Sequence, residues 1–330
     1  VRNSFNNPWV FYGTLIVFAA LMPTVMGSYS GGALVLLFGI AAASCNLMLG
    51  YAGLLSFAQG SFFGGGAYVA GIVLKAHPSL GLLSLAACAA GGVLLALVVG
   101  GLSIRQRGIY FIMITLAMAQ LTFFSALYFS DWTGGENGLL DIPQPAWIPT
   151  SWMAADTAQY LLVGIAFVLA LALLRRIILS PFGRVLDAAR ENEVRALTVG
   201  YDVQKLKLLA FCLSGAITAV AGGLYAMQLH SAPLANIDIL TSETILIMAI
   251  LGGRRSLIGA AFGALALTLM GEQLSQIWPR WQMIVGLVLI ALVLYAPDGL
   301  QGLWLRLLNR KSTVDAKDGK AIQQPAKEVA

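Results

Sequence analysis

Polar side chains able to touch a solute are few in this sequence, and most fall in one stretch. Ser44 and Asn46 close one apolar run. Gly50-Tyr51-Ala52-Gly53, Ser56, Gln59, Ser61 and Gly64-Gly65-Gly66 follow. Thr115, Gln120 and Thr122 form a second set further along. Hydroxyls and carboxamides recognise by hydrogen bonding, and a hydroxyl becomes a nucleophile only with a base beside it. No such base accompanies them: the apolar runs hold no acid pair and no His cluster, and their acids are Glu243 and Glu272, near the ends of their runs. An intramembrane enzyme therefore lacks support. The glycines allow two readings. One is unwound backbone at membrane depth, with free N–H groups lining a path. The other is close helix packing. A single Gly favours packing; the cluster with Asn46, Ser56 and Gln59 favours a path, and the stretch 50–60 is expected to be unwound or re-entrant.

Other chemistries are missing. Cys45, Cys88 and Cys212 lie in apolar runs without a C-x-x-C pair, so they read as small core residues, and neither metal nor cofactor is expected. His77 and His230 fall near the ends of apolar runs and read as interfacial. Gly319-Lys320 is followed by Ala321, so there is no phosphate-binding G-x-x-x-x-G-K-[ST] loop. Ion-coupled carriers place charged residues inside the membrane, and these runs are nearly charge-free. Such a protein conducts passively or draws its energy from another subunit.

The elements that position these residues follow from composition. Of 330 residues, 58% are hydrophobic and 11% charged; soluble domains carry roughly 25% charged residues. Mean hydropathy is +0.81. A soluble enzyme, a disordered chain and a nucleic-acid binder are argued against. The fold expected is all-α and polytopic, with about ten transmembrane helices at 8–27, 31–49, 58–75, 79–101, 109–129, 158–178, 207–229, 239–252, 257–276 and 282–297. The run at 239–252 is short and needs its neighbours to complete a crossing. Alternating sides through these runs places 18 of the 20 Lys and Arg residues on one side, with Lys75 and Arg280 on the other. By the positive-inside rule that side is cytoplasmic, and both termini lie there. No secretory signal with a cleavage site is legible; Arg2 precedes a run that reads as a retained span. Residues 311–330 read as a disordered cytoplasmic tail.

The segment between the runs at 158–178 and 207–229 is the most informative outside the apolar runs. Ser180 is a good N-cap and Pro181 suits the first helical position. Phe182, Val185, Leu186 and Ala189 make one apolar stripe, and Gly200 is a natural stop. A short amphipathic helix is expected. It either rests on lipid or docks on a protein, and the mixture of Asp187, Glu191 and Glu193 with Arg184, Arg190 and Arg195 favours docking.

This segment, with Lys207-Leu208-Leu209-Ala210-Phe211-Cys212-Leu213-Ser214-Gly215-Ala216 and Ala221-Gly222-Gly223-Leu224-Tyr225-Ala226, resembles the M-type permeases of branched-chain amino acid ABC importers. Gly50-Tyr51-Ala52-Gly53 through Gly66-Ala67-Tyr68 resembles the family's early Gly-rich motif, with Ala58-Gln59 where a Gly-His pair is usual. Gly108-Ile109-Tyr110-Phe111 through Gln120, Thr133-Gly134-Gly135-Glu136-Asn137-Gly138-Leu139, Leu251-Gly252-Gly253-Arg254-Arg255-Ser256 and Tyr295-Ala296-Pro297-Asp298-Gly299-Leu300 extend the likeness. It covers residues 35–305, in order.

The resemblance implies an inner-membrane permease domain over 1–310, with no enzymatic activity of its own. The implied partners are two ABC ATPase subunits, a second related permease, a periplasmic solute-binding protein and membrane lipid, without nucleic acid. The family's coupling helix, which sits in a groove of the ATPase, maps to 182–200, with Phe182, Arg184, Arg190, Glu191, Glu193 and Gly200 as the coupling residues. The loop at 133–139 would face the binding protein. Asn46, Ser56, Gln59, Thr115 and Gln120 become the candidate substrate path. Urea and short-chain amide importers use similar permeases, and a stand-alone channel or carrier for a neutral solute is the remaining alternative.

Overall fold

The computed structural model describes residues 8–143, 155–278, 280–295 and 299. The basic residues from Arg306 onward, Arg2 and the 311–330 tail lie outside the described residues. In chain order the α-helices are α1 (Pro8–Met26), α2 (Tyr29–Asn46), α3 (Gln59–Ala76), α4 (Gly81–Ser103), α5 (Ile109–Tyr128), α6 (Ser130–Thr133) and α7 (Ala155–Leu179). They continue as α8 (Pro181–Glu191), α9 (Glu193–Thr198), α10 (Val203–Leu229), α11 (Ile239–Gly252), α12 (Leu257–Ile277) and α13 (Trp281–Tyr295). Short 3₁₀ turns lie at Pro78–Leu80, Gly135–Asn137 and Leu234–Asn236. The β-pairing among the described residues is one antiparallel bridge between Leu139 and Ala232.

Among the described residues each of the ten apolar runs is helical over most of its length, but seven helices are long and apolar enough to cross a membrane on their own. They are α1, α2 with the turn that extends it to Ala52, α4, α5, α7, α10 and α12. The number of crossings is therefore not fixed at ten. The α11 helix has only 14 residues. The α3 helix carries Gln59, a run of glycines and Lys75, which lower its apolarity. The molecule is a polytopic helical membrane protein.

Burial sorts the helices. Residues of α2 are buried along most of its length, which suits a helix apolar all round at the centre of the bundle. The rim helices instead turn large apolar side chains outward, among them Ile16, Leu94, Phe124, Leu169 and Leu287. In lipid that costs nothing, because the acyl chains are as apolar as the side chains.

The tightest joint is between α3 and α10. A Cβ built on Gly66 would lie 1.9 Å from the Ala219 carbonyl oxygen, and one on Gly222 would lie 1.8 Å from that of Phe63. Only glycine permits this approach. On its other side α10 meets α4 through Gly92 and Gly215. Side-chain caps fix the helix starts: Ser28, Ser180, Asn192, Asp202, Asp238 and Ser256 each accept a backbone N–H of the turn they begin. The Lys205 backbone N–H, followed by its side chain, holds the Asp202 carboxyl below the usual carboxylate range.

Candidate functional site

The polar groups singled out in the sequence separate into two clusters. The first lies where α2, α3 and α10 meet. After Asn46 the α2 helix widens into a π-helical turn at Leu47–Ala52. It ends at Gly53, whose φ of 69° is the left-handed conformation that glycine adopts without strain. The chain is unwound over 53–58 and resumes as α3 at Gln59. The Gln59 amide donates to Ser214 Oγ at 3.0 Å and its oxygen accepts from Thr218 Oγ1 at 2.9 Å. Ser214 in turn donates to the Ser44 carbonyl at 2.9 Å, and the Ser44 and Thr218 hydroxyls bond each other. All four side chains are buried. Gln59 thus ties three helices through satisfied bonds.

The unwound stretch is satisfied from its flanks. Thr115 Oγ1 on α5 accepts the Phe57 N–H at 3.3 Å, and Ser56 Oγ accepts the Ala58 N–H at 3.2 Å. Ser242 Oγ on α11 accepts the Gly60 N–H at 2.8 Å. Ser61 and Thr122 bond at 2.7 Å. Ser56, Thr115 and Gln59 are therefore brought together around the start of α3. Gln120 is not. It is half-buried on another face of α5 and makes no hydrogen bond to the described residues. Ser214, Thr218 and Ser242 belong to the cluster but were not singled out from sequence. Their only signal there is a hydroxyl in an apolar run. Among the described residues, buried side-chain atoms without a partner are Tyr68 Oη, Gln159 Nε2, Asp187 Oδ1, Gln228 Oε1 and Asn236 Nδ2.

The second cluster lies at the end of the bundle that carries the basic residues. Asn46 Nδ2 donates to the carbonyls of Gly253 and Ser256 at 3.0 and 2.9 Å. Asn46 is thus a clamp between α2 and the α11–α12 turn. In α8, Leu186 and Ala189 are buried and Phe182 and Val185 half-buried, as the stripe in the sequence requires. The helix stops at Glu191, short of the expected end near Gly200. Asn192 takes extended backbone (φ −150°, ψ 97°), and its side chain accepts the Arg195 N–H to start α9. Gly200 then closes the turn after α9 with φ 99°.

The charged residues of this segment face different ways. Arg184 and Glu191 are exposed. Arg190 turns inward and donates to the Gly50 carbonyl. Asp187 pairs with Arg255. Glu193 pairs with Arg107 at 3.3 Å and Lys207 at 3.2 Å. Beside Glu191, α9 and its turn leave Val194 67% and Val199 70% exposed, with Leu197 and Tyr201 also exposed. Among the described residues no three His, Cys, Asp or Glu come together as a metal would need. What remains is a membrane scaffold with a helical foot projecting from its basic end.

Residues 29–294 match the family described as branched-chain amino acid transport system / permease component. The chain belongs to this family. The permease is 26% identical over 320 residues to the high-affinity branched-chain amino acid transport system permease protein LivM of Escherichia coli, covering 88% of this chain and 74% of that one. It is 25% identical over 316 residues to the probable LivM of Methanocaldococcus jannaschii, covering 80% and 90%. A shorter likeness, 31% over 138 residues, links the permease to the ribose import permease protein RbsC of Bacillus subtilis, covering 39% and 42%. No solved structure matches the permease.

Proposed function

We propose that this permease is a membrane subunit of an ATP-driven importer that carries branched-chain amino acids into the bacterial cytoplasm. It lies in the inner membrane with its basic end and both termini cytoplasmic. A periplasmic solute-binding protein delivers the solute. A second, related permease completes the path, and two ATPases drive the cycle. The chain contributes shape and leverage and no covalent chemistry.

One observation carries the reading: the α8–α9 foot. It combines exposed charges of both signs, Arg184 and Glu191, with exposed apolar residues, Val194, Leu197 and Val199. A helix lying on anionic lipid is instead rich in Lys and Arg on its polar face. Mixed charge around apolar anchors suits a protein groove. The family membership supports the solute class. The nearly charge-free spans suit a path whose selectivity is set mainly by the delivering protein.

The test is co-purification from native membranes followed by reconstitution. Recovery of two ATPases and a second permease, with ATP-dependent uptake of leucine but not urea, is expected. Uptake by this chain alone in sealed liposomes, without ATP, would sink the proposal.

A further inference from the structure

Arg184 and Glu191 on the exposed side of α8 have inward-facing counterparts, Arg190 and Asp187. Arg190 donates to the Gly50 carbonyl inside the π-helical turn. Its aliphatic stem lies against Gly53, where an added Cβ would stand 2.9 Å from Arg190 Cγ. The last carbonyls of a helix have no intrahelical donor, and a cation there also meets the negative end of the helix dipole. Arg190 is therefore both cap and counter-charge for the end of α2.

Asp187 reaches a different element. It pairs with Arg255, in the turn between α11 and α12. Arg255 is a non-glycine residue at φ 70°, a conformation that persists only where its surroundings enforce it. The enforcing contacts come from α2 and its extension. Asn46 Oδ1 accepts the Arg255 N–H at 3.0 Å, the Tyr51 hydroxyl donates to the Arg255 carbonyl at 2.9 Å, and the guanidinium lies 5.7 Å from the centre of the Tyr51 ring. Gly50 has no room for a side chain, since a Cβ there would be 2.5 Å from Asn46 Oδ1 and 2.8 Å from the Arg255 nitrogen.

These contacts close a ring. Arg190 holds α8 to the end of α2, Asp187 holds α8 to the α11–α12 turn, and Asn46 and Tyr51 hold that turn to α2. A displacement of α8 thus pulls on both elements at once. The element it pulls through Gly50 is where α2 departs from α-helical bonding, and π-helical turns are rare and found frequently at functional sites. It leads directly into the unwound stretch before Gln59. We propose that Arg190 and the Asp187–Arg255 pair are positioning residues that pass movement of α8 to the π-helical turn of α2 and the α11–α12 turn. This deepens the reading above and rests on it.

The experiment uses the intact complex with its ATPases, second permease and binding protein in proteoliposomes, with radiolabelled leucine as the probe. Readouts are ATPase recovery, ATP hydrolysis and leucine moved per ATP. Arg190→Ala and Asp187→Asn are expected to keep the ATPases bound and ATP hydrolysis near wild type, while leucine moved per ATP falls by about tenfold. Arg190→Lys should recover part of that loss, and the exchange Asp187→Arg with Arg255→Asp should recover part of the loss at Asp187. Unchanged leucine per ATP in both single variants overturns the proposal, and so does loss of the ATPases from them, which would make these residues docking contacts.

A second measurement keeps the fold untouched. Spin labels at the exposed positions 188 and 254 should hold one separation when ATP binds, because α8 and the turn move together. A changed separation overturns the tether even if every other variant misfolds. A wild-type complex that hydrolyses ATP without moving leucine overturns the solute assignment instead, and the labels still decide the tether.

Discussion

Asn46 Oδ1 accepts the backbone N–H of Arg255 at 3.0 Å, across 209 residues of chain. The same side chain donates both amide hydrogens to carbonyls of that turn. It is fully buried, so each bond it makes replaces a lost bond to water.

Asn46→Leu keeps the volume and removes all three bonds. Each backbone group left buried without a partner costs about 1–3 kcal/mol. The variant is expected to unfold at a clearly lower temperature in detergent, read by thermal melting of the purified protein. An unchanged melting temperature would show that water or a rearranged neighbour takes over the role.

Backbone contact sets a second expectation. Gly66→Ala and Gly222→Ala each force a methyl group into a carbonyl oxygen, and overpacking of this kind costs about 1–3 kcal/mol or more. Little monodisperse protein should survive extraction. Gly164→Ala is the control. A Cβ there meets nothing within 4 Å, so the change should be neutral or add about 0.5–1 kcal/mol by favouring helix. Size-exclusion profiles of the three variants make the comparison.

Sidedness can be read through cysteines. Cys45, Cys88 and Cys212 are at most 8% exposed and should stay silent to a membrane-impermeant maleimide until the protein is denatured. Trp132→Cys lies near the loop at 133–139 and should label on intact spheroplasts. Thr198→Cys lies in the α8–α9 foot and should label only after lysis. The reverse pattern would invert the orientation.

The foot itself separates two neighbouring acids. Glu191 is exposed, so Glu191→Lys should leave the fold alone and lower ATPase recovery by about tenfold, a loss of roughly 1.4 kcal/mol at the interface. Glu193 is partly buried between Arg107 and Lys207. Glu193→Lys should loosen α9 as well, at a cost of about 1 kcal/mol or less, the scale of solvent-facing ion pairs. Pull-down of the ATPase together with limited proteolysis of the 192–200 segment distinguishes the two effects.

How far the sequence goes is visible in particular residues. The helices were legible because lipid demands long apolar runs, and 239–252 came out as α11 with the same ends. The unwound stretch before Gln59 was legible in its Gly, Ser and Gln. The break at Asn192 was not: the apolar stripe of α8 continues toward Ala196, and a cap inside a polar run looks like one more polar residue. The partners of Asn46 and Gln59 were also hidden, because they lie more than 150 residues away along the chain. Nor does the sequence tell Arg184 from Arg190. The two stand about 120° apart on an ideal helix, and only the position of the α2 terminus decides which of them turns inward.

The seam between α3 and α10 has a kinematic consequence. With main chain resting on main chain at Gly66 and Gly222, no side chain is left to swing aside and let the two helices slide. They must turn as one strut. Any change of shape during a cycle then falls outside this seam, to the π-helical turn of α2, the α11–α12 turn and the rim helices bordered by acyl chains.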